Sequence, residues 1–272
     1  MRGALGAAIW IAAVLVVAGS GGLPPRPATP DARVRAQALN APAQFNGLPR
    51  ATTFARLTGL PDDPSPFAVT NGEVVHPLTQ QPVYGAPGGR PIAVLPATEL
   101  GDPTWVPVIQ TRPGWERVLL PSRPNHLTGW LSVEGAAARN FVVRYSSYLI
   151  QVDVGTQRLT VSEDGHSLGS WTVAVGAIAT PTPIGRTFLL ADVKPPGPIY
   201  SPLILPLGTH SNILDSFGGG PGTVALHGWP DPAVFGHQVS HGCVRVPAQA
   251  LHVLSQIPLG TLVLIGRIEG RR

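Results

Sequence analysis

The chain has 272 residues, 43% of them hydrophobic and only 12% charged, so it is long enough for one or two packed domains and too apolar for a disordered polymer. Its 31 prolines and 32 glycines argue against a helix-rich architecture. The net charge is +4, but the surplus is +3 over residues 1–66, zero over 67–140 and +1 over 141–272, so no folded segment concentrates basic charge and nucleic-acid binding is not expected.

The N-terminus, "MRGALGAAIWIAAVLVVAGS", places Arg2 before an uncharged apolar run over residues 4–18, followed by the small residues Ala18, Gly19 and Ser20. Residues 1–23 read as a signal peptide or an uncleaved signal-anchor, the run being short for a spanning helix, which needs about 20 residues. Either way the chain is expected to be exported to the cell envelope, secreted if the segment is cleaved and touching the membrane only through it if it is not. Residues 24–66 are rich in proline and alanine, lack sustained periodicity and are expected to form a tether.

Residues 67–136 carry short strand-like runs, such as "RPIAVLP" and "GWERVLLP", separated by turn signals at Pro87-Gly88-Gly89 and Arg112-Pro113-Gly114. Pro-Val-Tyr early, Gly-Trp-Glu-Arg-Val in the middle and Gly-Trp-Leu late resemble bacterial SH3-like domains. The resemblance implies a small β-barrel, with Tyr84, Trp115 and Trp130 as either packing residues or contacts for wall peptides.

Residues 141–266 predict a second, mainly β domain. "YLIQVDVGTQRLTVSEDGHSLGSWTVAVG" reads as three strands with turns at Thr156-Gln157 and Asp164-Gly165. "RTFLLADV", "GTVALHG" and "TLVLIG" are further strands. In "VPAQALHVLSQI", Ala250, Leu251, Leu254 and Ile257 recur at helical spacing, with Pro247 in the first turn. The glycine- and proline-rich stretch 191–222 reads as one long loop, either a lid or a surface excursion.

The chain's one cysteine, Cys243, lies within "HGWPDPAVFGHQVSHGCVRV". In an exported chain a lone cysteine is an intermolecular link or a thiol kept for chemistry. A thiol nucleophile needs a base and donors aimed at the oxyanion it creates. His227 ends a strand, and a returning loop brings it toward Cys243; His241 is nearer in sequence. The amides of Gly242 and Cys243 are candidate oxyanion donors, and Arg245 offers a fixed charge for a substrate carboxylate or a loop anchor. His227, His237, His241 and Cys243 also make a conceivable zinc set, but the Cys243–His241 spacing is unlike structural zinc motifs.

The motif HG-x(7)-G-x(3)-SHGC-x-R, together with "TPTPIGRTFLL", resembles the L,D-transpeptidase catalytic domain, also called the YkuD domain. The resemblance implies a β-sandwich with a short helix after the cysteine, no cofactor and no metal. It further implies Cys243 as nucleophile and His227 as base, with the Gly228 carbonyl orienting the imidazole. Ser240, His241 and Gly242 would shape the pocket and oxyanion hole, and Arg245 would support the site. The implied substrates are peptidoglycan stem peptides, joined 3→3 through a thioester with release of D-alanine, and carbapenems are implied to acylate the cysteine. An L,D-carboxypeptidase, a protein-to-wall attachment enzyme and a non-catalytic wall-binding scaffold remain as alternatives on the same fold.

Overall fold

A computed structural model describes residues 45, 47–197 and 200–267. The expected leader and residues 24–44 of the expected tether lie outside the described residues. Among the described residues no helix is long and apolar enough to cross a membrane.

The first sheet has seven strands, in the order Pro91–Leu95, Gln81–Tyr84, Thr128–Ser132, Trp115–Leu119, Val106–Arg112, Glu73–Pro77 and Phe141–Tyr145. Its hairpin 106–119 turns at Gly114, whose φ of +73° is a conformation that glycine adopts without strain. Strand Phe141–Tyr145 pairs antiparallel with Glu73–Pro77, Val75 opposite Val143. The second domain expected from residue 141 therefore starts later, after the break at Ser146 and Ser147. The apolar run continues across that break, which is why no boundary shows in the sequence.

Two further sheets enclose the second core. One has five strands, in the order His166–Thr172, Arg158–Glu163, Tyr148–Asp153, Leu262–Gly266 and Gly185–Phe188. Its first turns fall where predicted, with Gln157 at φ +51° and Asp164 and Gly165 at +48° and +80°. The other sheet orders Ile204–His210, Thr223–Gly228 and Val244–Val246. Ile150, Val152, Leu159, Val161, Val263 and Ile265 of the first meet Leu205, Leu207, Val224, Leu226, Val244 and Val246 of the second in one cluster. The predicted helix, Ala248–Leu254, closes that cluster with Ala250, Leu251 and Leu254.

The stretch 191–222 is not one loop, because Ile204–His210 is a strand within it. Pro206 and Gly208 disguise it. The strand lies at the edge of its sheet, where a proline costs little. Gly208 takes the Phe188 ring against its backbone; a Cβ there would lie 2.4 Å from Phe188 Cε1.

The expected tether is also shorter than residue 66. Ala51, Thr53, Leu57, Leu60 and Asp63 are buried. Ala51 N–H donates to Val94 O at 2.7 Å, Leu57 N–H to Arg123 O at 2.8 Å, and Thr128 N–H to Pro61 O at 2.9 Å. Ala51, Leu57 and Leu60 enter one apolar cluster from a segment that is neither strand nor helix, so the burial leaves no period to read. Asp63 accepts both arms of Arg186 at 2.6 and 2.7 Å, with both side chains almost wholly buried. Phe188, Leu190 and Leu262 join Ala51, Leu57, Val83 and Val118 in a second apolar cluster. The two β regions are thus packed on a common core.

Candidate active site

Strand alternation assembles the site. Thr223–Gly228 and Val244–Val246 run parallel, with Leu226 beside Val244 and His227 beside Arg245. Successive side chains point to opposite faces of a sheet. Val224, Leu226, Val244 and Val246 all enter the core. The opposite face therefore carries Ala225, His227 and Arg245, and Cys243, one step before its strand, continues that row. Cys243 is partly buried and unpaired.

His227 is 5% exposed. Its Nδ1 lies 2.9 Å from the Gly228 carbonyl, which only accepts, so Nδ1 carries the proton and Nε2 keeps a lone pair. Burial pushes the His227 pKa below the ordinary value; the Gly228 bond opposes this and the Arg245 charge adds to it. Burial pushes the Cys243 thiol up, against a backbone hydrogen bond from Ala225 and the charge of Arg245. Both shifts favour the uncharged forms, a thiol and a neutral imidazole.

Aromatic rings set the surroundings. Tyr200 meets His227 edge-on with centroids 4.8 Å apart, and Trp229 lies 5.3 Å from Tyr200. Burial and then the Cys243 charge raise the Tyr200 pKa. Arg245 stacks on Trp229, Cζ 3.6 Å from the ring centroid, and its buried Nε has no hydrogen-bond partner. The same tryptophan and tyrosine border a cavity of about 380 Å³ with Gly228 and Leu251.

The turn before Cys243 is braced from within. Ser240 Oγ donates to Cys243 O at 2.5 Å and accepts from Gly242 N–H at 3.1 Å. The Gly242 amide, expected as an oxyanion donor, is thus already engaged by Ser240. Gly242 is required by its φ of +120°, not by space, since a Cβ would meet nothing closer than 3.7 Å. Thr180 Oγ1 donates to Ser240 O at 2.9 Å, and Thr182 Oγ1 donates to Gly242 O at 2.9 Å while accepting from Gly176 N–H at 2.8 Å. This is the physical role of "TPTP".

His241 is exposed and faces the Phe217 ring, with centroids 5.0 Å apart. His237 is exposed. Among the described residues no three histidine, cysteine or acidic side chains are grouped as a metal site. Sequence reasoning missed Tyr200, Trp229 and Ser201. Ser201 Oγ accepts from Gly228 N–H at 2.8 Å and fixes the end of the histidine strand. Trp229 had a visible signal, directly after "HG"; Tyr200 and Ser201 had none, being distant in sequence and local only in space.

The L,D-transpeptidase catalytic domain family, YkuD, matches residues 147–265. The Bacillus subtilis (strain 168) protein YkuD, which bears the name of an L,D-transpeptidase, is 30% identical over 121 residues, covering 44% of this chain and 66% of that relative. Among solved structures, an L,D-transpeptidase from Mycobacterium smegmatis is 17% identical, covering 59% of this chain and 98% of that one with a TM-score of 0.37. L,D-transpeptidase 3 of Mycobacterium tuberculosis, in complex with a faropenem-derived adduct, is 16% identical, covering 52% and 74% with a TM-score of 0.37. An L,D-transpeptidase from Xylanimonas cellulosilytica is 27% identical, covering 44% and 60% with a TM-score of 0.32. Residues 147–265, with the histidine strand, the cysteine turn and the helix behind them, are an L,D-transpeptidase catalytic domain of the YkuD family.

Proposed function

We propose that the chain is a peptidoglycan L,D-transpeptidase working through a Cys243 thioester. The observation that carries this reading is the shared face of two parallel strands, which holds a thiol and an imidazole whose unprotonated nitrogen is Nε2. The thiol proton passes to His227 Nε2 as sulfur attacks the carbonyl between the third residue of a stem tetrapeptide and its terminal D-alanine. The C–N bond breaks, D-alanine leaves with that proton on its amine, and an acyl thioester remains. A side-chain amine of a neighbouring stem then attacks the thioester, gives its proton back through His227 and frees the thiol, leaving a 3→3 link. Transfer to an amine is favoured over hydrolysis because amines are the stronger nucleophiles.

A neutral resting pair fits this order of events. A buried thiol with a raised pKa stays protonated until substrate is bound, and the thiolate then forms as it attacks. Arg245, stacked and short of one hydrogen-bond partner, supplies positive charge beside the sulfur. The reading places the protein in the cell envelope, exported by its N-terminal segment, with the first β region as an SH3-like companion.

Incubation with a tetrapeptide-stem muropeptide, followed by mass spectrometry, tests it. Wild type loses D-alanine and yields a dimer or a thioester adduct, and Cys243→Ala yields neither. Turnover that survives Cys243→Ala discards the mechanism. A carbapenem, as a strained acyl donor, leaves a covalent mass on Cys243; an unmodified protein after long incubation counts against the assignment.

A further inference from the structure

We infer that Arg123, on the first β region, is a positioning residue for the acyl-transfer site: it fixes hairpin 211–222 so that Phe217, at the tip, stands against His241 as a wall beside the turn that carries Cys243. The inference rests on the proposed reading of Cys243 as the nucleophile.

The hairpin cannot hold itself. Residues 212, 213 and 215–219 are exposed, and Gly218, Gly219 and Gly222 take φ of +58°, +82° and +71°. Its own bonds are local: Ser211 N–H to Gly222 O at 2.9 Å, reciprocal bonds at 3.0 Å between Phe217 and Gly220, and Ser211 Oγ accepting from Ile213 N–H at 3.2 Å and Leu214 N–H at 3.0 Å. Without side chains packed beneath it, such a segment opens easily unless it is pinned from outside.

Arg123 is that pin. Its side chain is 13% exposed, and its guanidinium donates to Ser211 O at 2.9 Å, Leu214 O at 2.9 Å and Pro221 O at 2.8 Å. One planar group thus ties both limbs, a geometry that the single ammonium of lysine cannot reproduce. The fit is close, since a Cβ on Gly222 would lie 2.3 Å from Leu214 O and 2.8 Å from Arg123 Nη2. Asn125 completes the base by donating to His210 O at 2.7 Å and accepting from His210 N–H at 2.8 Å. The exposed ion pair of Arg56 with Asp215, at 3.3 Å, adds little.

What the pin holds is next to the chemistry. Phe217 is 53% exposed yet lies against His241, two residues before Cys243. A half-exposed aromatic ring against His241, on a hairpin whose residues are mostly exposed, is suited to cover the apolar parts of a bound stem peptide. Arg123 touches no reacting atom and acts only through this wall.

The test uses the full chain with Arg123→Ala, Phe217→Ala and the double variant, assayed with tetrapeptide-stem muropeptide. Cys243 alkylation by iodoacetamide, a reagent too small to need the wall, is measured in parallel. Each single variant raises KM about tenfold with kcat within about threefold, because the wall contributes uniform binding. The double variant is no worse than either single one, since the two residues serve one element. Alkylation stays within about twofold of wild type throughout, because neither substitution removes a group that holds or activates the thiol. Should Arg123→Ala not fold, Arg123→Lys replaces it with the same expectation. Unchanged KM in a folded Arg123 variant or in Phe217→Ala overturns the inference, as do multiplying effects or alkylation that falls with turnover. A wild type that alkylates but never turns over stem peptide sinks the proposed function and this inference with it; an active wild type with unaffected variants sinks only the inference.

Discussion

Two buried histidines lie at the two ends of the same hairpin of strands, and burial lowers the pKa of both. His210 is fully buried where the stretch around Thr53 meets the catalytic domain, its pKa pushed down to about 4. His227 is almost as buried in the site, its pKa also depressed. They differ in which nitrogen is used. At His210, Nε2 donates to Thr53 O at 2.7 Å and Nδ1 is buried without a partner. At His227, Nδ1 donates to Gly228 O and Nε2, free of any hydrogen bond, belongs to the face that carries Cys243. A depressed pKa therefore marks burial alone. The tautomer and the neighbours on the same face are what suit His227, and not His210, to act as a base toward Cys243.

The largest expected effect separates the two. His227→Gln lowers the rate of thioester formation by about 10²–10⁴-fold, the range for losing a general base, with the protein still folded. His210→Gln leaves activity per folded molecule within about tenfold of wild type and lowers stability instead, through a lost buried hydrogen bond. Single-turnover acylation and chemical denaturation of both variants measure this. Equal losses of activity per folded molecule would erase the distinction.

Asp63→Asn sharpens the same contrast from the side of the seam. It breaks the buried bidentate pair with Arg186 and is expected to cost about 3–5 kcal/mol in urea unfolding, because a guanidinium is left buried and uncompensated. The alkylation rate of Cys243 in the folded fraction stays at the wild-type value. A stable Asp63→Asn protein would mean that the seam is held by its apolar cluster alone.

Titration gives the next effect. Below pH 6.5 the unfolded chain binds a proton that folded His210, with a pKa of about 4, does not. Its contribution to stability is complete above pH 6.5 and is lost as the pH falls toward 4, by at most about 3 kcal/mol. Buried Glu99, which accepts from Thr53 N–H at 3.0 Å, works in the opposite direction. Burial raises its pKa to about 7, so its contribution is complete below about pH 4.5 and is lost as the pH rises toward 7. The two oppose each other between 4.5 and 6.5, so the difference between wild type and His210→Gln isolates the histidine. That difference shrinks by about 3 kcal/mol between pH 7 and pH 4; a difference independent of pH would show that His210 is not the group responsible.

Much of the site was legible because its determinants are local in sequence. Alternation put His227 and Cys243 within strands and turns of definable face, and helical spacing at Ala250, Leu251 and Leu254 placed the element behind them. What stayed hidden depends on partners far along the chain. Thr53 meets His210 across 157 positions and Asp63 meets Arg186 across 123, so neither leaves a periodic trace. Strand Ile204–His210 was concealed by Pro206 and Gly208, residues that an edge position and a neighbouring aromatic ring make permissible. The engagement of the Gly242 amide by Ser240 is likewise a matter of how one turn closes, which a motif does not specify.

The smallest effect tests whether electrostatics at the site is local as well. Arg245 is held over Trp229 by a stack with Cζ 3.6 Å from the ring centroid, an arrangement contributing on the order of 1 kcal/mol. Its charge favours the Cys243 thiolate, in opposition to burial. Trp229→Leu keeps an apolar side chain but removes the π face, so the guanidinium loosens toward solvent and its charge is screened. The thiol pKa then rises further, and the pH at which iodoacetamide alkylation reaches half its maximum moves upward, while Trp229→Phe shifts it less. Urea stability changes by about 1 kcal/mol at most. A shift downward, or none, would mean that the stack does not set the charge felt by the sulfur. His210→Gln leaves the alkylation profile where it is, because the seam histidine shares neither the face nor the neighbours of the thiol.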